Sequence, residues 1–126
     1  MRLVIGGYAQ GKLAYVMKKY NMQDSYVMDD ILEMTQVSYG NKIVNHFHKW
    51  VRDCMEKGEN PEQMIEEFLK KNPDCIIISD EVGNGIVPME PFEREYRERV
   101  GRILIMLAKQ AESVERVICG IGQRIK

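Results

Sequence analysis

In the stretch GGYAQGKL, Gly6, Gly11 and Lys12 satisfy the spacing G-x-x-x-x-G-K. Glycines let a backbone curl until consecutive amide N–H groups converge on phosphate oxygens. A helix opening near Gly11 adds its positive end, and Lys12 adds a mobile ammonium. Gly6, Gly7, Tyr8, Ala9, Gln10, Gly11, Lys12 and Leu13 are therefore expected to bind nucleotide phosphates, or phosphate alone. Such a loop ordinarily continues with Ser or Thr, whose hydroxyl helps to hold Mg²⁺ on the terminal phosphates. Leu13 stands there instead and joins an apolar stripe with Val16, Met17 and Tyr20. The competing reading is a glycine turn that merely links a strand to a helix.

A second set of reactive groups closes the apolar run DCIIIS, which ends in the adjacent carboxylates Asp80 and Glu81. Beside phosphates they could assist a metal or take a proton from an acceptor hydroxyl. Side chains alternate along a strand, so one of the two is expected to face the ligand. The expected catalytic set is Lys12, stabilising transferred charge, with Asp80 and Glu81. In the alternative, Asp80 only accepts hydrogen bonds from the turn at Gly83 to Gly85. His46 and His48, two apart at a helix start, point about 200° apart and cannot chelate one ion from one helix face. His46 is read as a polar helix-start residue near the opening of the crevice, and His48 as facing solvent. Arg94, Arg97, Arg99 and Arg102 are expected on an exposed helix side, with i,i+4 pairs Glu93–Arg97 and Glu95–Arg99. Cys54, Cys75 and Cys119, odd in number and each among apolar neighbours, read as buried thiols, and no spacing suggests a metal site.

These groups need a scaffold. RLVIGG reads as a buried parallel strand feeding the glycine loop, and Leu13 to Tyr20 as the helix after it. SYVMDD supplies a second short strand, while ILEMTQVSYGN carries mixed signals. Ile43 and Val44 form a strand passing into a helix with Phe47, Trp50, Val51, Cys54 and Met55 on one stripe. Asn60 caps the next helix, with Pro61 at its first position and Gln63 completing the cap. DCIIIS is a buried strand, Phe92 to Glu112 the longest helix, VERVICG a final strand and IGQRIK a tail. Strands alternating with helices imply a mainly parallel sheet covered on both faces, a P-loop NTPase-like three-layer α/β sandwich whose ligand lies beyond the carboxyl ends of the strands. The 126 residues are expected to form one domain. Eighteen basic and nineteen acidic side chains, net charge −1, offer no general attraction for nucleic acid or an anionic membrane. No stretch approaches the roughly 20 apolar residues that span a bilayer, so a cytoplasmic protein is expected.

The segment from Ser79 to Lys126, with DEVG, GIVP, a long helix containing GR and a closing GIGQRIK, resembles the C-terminal half of the adenosylcobinamide kinase/adenosylcobinamide-phosphate guanylyltransferase family of cobalamin biosynthesis, where the corresponding stretches read NEVG, GIVP, GR and GIG.K. That family also opens with a strand and GG…GK[ST], matched at the other end by Gly6, Gly7, Gly11 and Lys12. The resemblance implies a nucleotide-dependent enzyme that phosphorylates the aminopropanol hydroxyl of adenosylcobinamide and then attaches GMP through a histidine. It implies ATP or GTP as the bound nucleotide, a corrinoid as acceptor and a homo-oligomer. Against its pattern, Leu13 replaces the loop hydroxyl, Asn45 stands where an acidic metal anchor is usual, and Asp80 replaces Asn. No histidine lies upstream of Asn45, so guanylyl transfer is expected to be lost, and Mg²⁺ lacks both usual anchors. Two readings follow: an ATP- or GTP-dependent kinase acting on adenosylcobinamide or a similar alcohol, and a non-catalytic nucleotide- or phosphate-binding module that regulates or scaffolds a partner.

Overall fold

A computed structural model describes residues 1–29, 42–83, 85 and 88–126. Six strands form one sheet in the order β2-β3-β4-β1-β5-β6. They are β1 (Arg2–Gly6), β2 (Val27–Met28), β3 (Ile43–Val44), β4 (Ile76–Asp80), β5 (Ser113–Ile118) and β6 (Ile121–Arg124). All neighbours run parallel except β5 and β6. Four α-helices, α1 (Lys12–Lys19), α2 (Phe47–Glu56), α3 (Pro61–Lys71) and α4 (Pro91–Gln110), and a 3₁₀ turn at Asp24–Tyr26 complete the elements among the described residues. The mainly parallel α/β sheet covered on both faces is therefore as expected. The mixed stretch ILEMTQVSYGN falls outside the described residues.

Strand alternation sorts the core into two layers. Leu3, Ile77 and Val114 pack with Phe47, Val51, Ile65, Val100 and Ile103 from α2, α3 and α4. Val4, Ile76, Ile78 and Val117 turn to the other face and meet Val16, Leu13 and Met17 of α1. The three central isoleucines of β4 thus serve both layers, which is why that strand reads as continuously apolar. At the start of α3 the Gln63 amide donates to Asn60 Oδ1 at 3.0 Å, with Pro61 at the first helical position, as expected, while the Gln63 side chain turns to Glu67 Oε1 at 3.5 Å instead of completing the cap.

Three expectations are corrected. The tail IGQRIK contains β6, which pairs antiparallel with β5 through a two-residue turn at Cys119 and Gly120. Their φ values of 51° and 74° give the turn the form that suits hairpin twist. Cys119, at its tip, is exposed, whereas Cys54 and Cys75 are buried as expected, and burial raises their thiol pKa values to about 11 and about 12. Two α4 charges expected to pair along the helix, Glu93 and Arg99, make bidentate pairs with neighbouring helices. Arg52 of α2 grips Glu93 with two hydrogen bonds of 2.7 Å, and Arg99 grips Glu62 of α3 at 2.9 and 2.8 Å. Arg52 and Arg99 pKa values are raised, chiefly by these hydrogen bonds. Arg102 and Glu98 do pair along α4, at 3.6 Å.

Behind β5, the buried carboxylate of Glu115 accepts hydrogen bonds from the Tyr15 hydroxyl at 2.8 Å, the Tyr20 hydroxyl at 3.3 Å, and the Lys19 ammonium. Burial pushes its pKa up, but these donors outweigh burial and leave it lowered. The cluster ties the end of α1 to the sheet. Among the described residues no helix is long and apolar enough to cross a membrane.

Two glycines give a paired prediction. A Cβ on Gly6 would lie 2.5 Å from the Val117 carbonyl oxygen and 3.2 Å from Lys12 Cδ. A Cβ on Gly101, within α4, would meet nothing within 4 Å. Gly6→Ala should lower the unfolding free energy by about 1–3 kcal/mol through overpacking. Gly101→Ala should raise it by up to about 1 kcal/mol, as a helix-interior glycine is relieved. Urea denaturation of both variants checks the pair.

Candidate functional site

The carboxyl ends of β1, β3 and β4 open into a cavity of about 340 Å³. The loop from Tyr8 to Leu13, Asn45, His46, Lys49 and Asp80 all line it. β1 delivers the loop and β4 delivers Asp80, directly opposite Gly6 in the parallel register. The Glu81 amide then donates to the Gly6 carbonyl at 2.9 Å, holding the two strand ends together. Gly6 is needed because the Val117 carbonyl approaches it closely. Gly11, at φ +81°, makes the left-handed turn into α1 that a side chain would resist. No side chain caps the amides at the start of α1, which open at the cavity wall.

A second contact shapes the loop. The Gln10 carbonyl accepts from the Gly120 amide at 2.8 Å, and Gln10 Oε1 accepts from the Cys119 amide at 2.7 Å. The turn between β5 and β6 therefore clamps the glycine loop from behind, in a role that sequence reading did not assign to Gln10 or to IGQRIK. Tyr8 at the loop tip is 86% exposed.

Lys12 is only 8% exposed. Its ammonium donates to the Gly7 carbonyl at 2.7 Å and pairs with Asp80 Oδ1 at 2.6 Å. Asp80 therefore does not serve merely as an acceptor for the Gly83–Gly85 turn: it is bound to the loop lysine. Glu81 points away and grips Arg116 of β5 with bonds of 2.8 and 2.9 Å. Of the two carboxylates, Asp80 lines the cavity with Lys12, as strand alternation anticipates, and Glu81 does not.

His48 corrects the expectation most sharply. It is 6% exposed, its Nε2 lies 3.4 Å from Asp80 Oδ2, and its Nδ1 accepts the Asp80 backbone N–H at 3.1 Å. An Nδ1 that accepts leaves the proton on Nε2, facing the carboxylate. The histidine thus braces Asp80 from behind, and the Tyr96 hydroxyl fixes its helix by donating to the His48 carbonyl at 2.9 Å. His46, at the start of α2 and half-exposed, sits with its Nδ1 2.7 Å from Asp29 Oδ1. It lines the cavity where the crevice was expected to open.

The described lining residues do not present the usual magnesium anchors. Mg²⁺ wants oxygen ligands in near-octahedral array. Leu13 offers none, Asn45 offers at most an amide oxygen, and Asp80, the carboxylate among the described lining residues, has one oxygen on Lys12 and the other beside His48. No group of three or more His, Cys, Asp or Glu able to hold a metal occurs among the described residues.

Burial lowers the His48 pKa from its ordinary 6.5 to about 4. Asp80 pulls it upward, while His46, Lys49 and Lys12 add to the lowering. The unfolded chain therefore binds a proton near pH 6.5 that the folded chain refuses until about pH 4. The neutral imidazole's contribution to stability is complete above pH 6.5 and is lost as pH falls towards 4. Between those limits the unfolding free energy of the wild type should fall more steeply with acidification than that of His48→Gln, by at most about 1.4 kcal/mol per pH unit. Urea titrations at a series of pH values measure the difference; parallel curves would contradict it.

The sequence profile of the family described as "Cobinamide kinase / cobinamide phosphate guanyltransferase" matches residues 8–125. The chain is 34% identical over 82 residues to the bifunctional adenosylcobalamin biosynthesis protein CobU of Escherichia coli (strain K12), a match covering 62% of this chain and 44% of that protein. It is 33% identical over 84 residues to the protein of the same name from Salmonella typhimurium (strain LT2), covering 65% of this chain and 46% of the relative. The match thus spans less than half the length of these relatives. With a buried lysine at the end of a glycine loop and a match reaching from Tyr8 almost to the last residue, this chain belongs to the cobinamide kinase/cobinamide phosphate guanyltransferase family.

Proposed function

We propose that the chain binds the phosphates of ATP or GTP in the cavity beyond β1, as a member of its cobalamin-biosynthesis family that has lost guanylyl transfer. One observation carries this reading: the loop Gly6–Lys12 leaves its strand at the carboxyl edge of the sheet and brings a lysine, uncapped helix amides and a cavity together. In that site Lys12 neutralises phosphate charge, Gly6, Gly7 and Gly11 allow the backbone approach, and Asp80 takes the proton of an acceptor hydroxyl if transfer occurs. Loss of guanylyl transfer rests on sequence: the chain's two histidines are His46 and His48, and none precedes them to carry GMP. Single-domain organisation of residues 1–126, a corrinoid or similar alcohol as acceptor, and a homo-oligomer belong to the same proposal.

A second reading draws on the Lys12–Asp80 pair. Asp80 competes with phosphate for Lys12, and Leu13 and Asn45 leave the metal anchors unfilled. A non-catalytic nucleotide- or phosphate-binding module that regulates or scaffolds a partner accounts for both features. The kinase reading follows the family name, and the module reading follows the donor set.

Calorimetry with ATP and GTP tests the shared part. Lys12→Met, whose apolar stem still packs on Gly6, should weaken nucleotide binding by about tenfold or more, a loss of about 1.4 kcal/mol or more. Asp80→Asn should tighten it, because the ammonium is released from its carboxylate. Unchanged affinity in Lys12→Met would overturn the assignment. Labelled phosphate appearing on adenosylcobinamide then selects the kinase, and binding without transfer selects the module; covalent labelling by GTP would contradict the loss of guanylyl transfer.

A further inference from the structure

Lys49 is a charged group at this cavity that the proposed function leaves unused. It stands in the first turn of α2, where its amide donates to the His46 carbonyl at 2.9 Å, and it lines the same cavity as Lys12. Its side chain is exposed and makes no hydrogen bond or ion pair among the described residues. Lys12 differs, since its charge is already met by Asp80 at 2.6 Å. The charged side chains among the described lining residues are Lys12, Lys49 and Asp80, together with the titratable His46. Once the Lys12–Asp80 pair is set aside, the uncompensated charge is the Lys49 ammonium.

Placement gives that charge a use. The strand order puts β4 between β3 and β1, so the loop at the end of β1 and the start of α2 after β3 lie two strand spacings apart, roughly 10 Å. Asp80, at the end of β4, sits between them, with Lys12 on one oxygen and His48 near the other. A single phosphate on the loop leaves Lys49 idle, whereas a chain of phosphates running from the loop across the end of β4 approaches it. Such a chain carries several negative charges, which in related loops a divalent cation shares with the lysine. Among the described lining residues Leu13 offers no oxygen to that cation and both Asp80 oxygens are engaged, and a second ammonium stands on the far side.

We infer that Lys49 supplies the positive charge a metal would otherwise provide, making the cavity a metal-independent polyphosphate site. The inference rests on the phosphate-binding reading of the glycine loop but does not need the nucleoside.

The test uses the full chain and calorimetry with inorganic tripolyphosphate, ATP and GTP, each with excess EDTA and each with Mg²⁺. Wild-type affinity for tripolyphosphate should be as tight in EDTA as in Mg²⁺ to within about threefold, well under the tenfold that 1.4 kcal/mol represents. Lys49→Ala, on an exposed side chain, should fold normally and lose about tenfold or more in EDTA, and Lys49→Arg should keep most of the affinity. Binding that appears only with Mg²⁺, or a Lys49→Ala protein that binds as the wild type does in EDTA, overturns the inference while leaving nucleotide binding intact. Tripolyphosphate bound without either nucleotide upholds it and overturns the nucleotide reading. No binding of any probe under either condition overturns both.

Discussion

An ammonium withdrawn from water must have its charge answered by nearby acceptors, or it loses its proton. Lys12 meets that requirement with two partners, the Gly7 carbonyl and Asp80. The choice of Asp80 organises much of the site, because it ties the loop after β1 to the end of β4. His48 then couples α2 to the same carboxylate. Under the proposed function an incoming phosphate meets a shared ammonium, and affinity becomes a difference between two ion pairings. The neutral state of His48 matters in the same way, since a charged imidazole beside Asp80 would compete with Lys12 for it.

The loop is also held from outside. Gln10 receives two amides from the β5–β6 turn, and Glu81, turned away from the cavity, joins β4 to β5 through Arg116. Donors fixed before a ligand arrives need little reorganisation when it does. Against the pattern that the resemblance implies, this chain has the glycines and the lysine but places hydrocarbon at Leu13 and an amide at Asn45. Under the proposed function these residues bear on cation chemistry and not on the backbone cradle, so phosphate recognition and metal handling become separable.

The loop and its strand were legible because both follow from local rules: an apolar run, then glycines at fixed spacing, then a helical stripe. That one of Asp80 and Glu81 would face the cavity followed from strand alternation, but which of them did not. His48 was not legible, since its burial comes from the start of α2 packing against the end of β4, a contact between residues 32 apart. Periodicity placed Phe47, Trp50 and Val51 correctly but said nothing of that neighbour. Glu93 and Arg99 of α4 were misplaced likewise: their partners Arg52 and Glu62 lie on other helices, and bidentate geometry with them wins over an i,i+4 pair along one helix. For β6 the signal was present in Cys119-Gly120, a two-residue turn flanked by isoleucines. Gly122 and the polar residues after it masked the strand. Cys119 is exposed for the same reason, as a turn residue rather than a core one.

A crystal structure of the chain with a bound nucleoside triphosphate tests the account at its centre. Phosphate oxygens should lie within hydrogen-bond distance of the backbone amides at the start of α1, with Lys12 Nζ moved from Asp80 onto them. A triphosphate seated elsewhere, with the Lys12–Asp80 contact still at 2.6 Å, would contradict it.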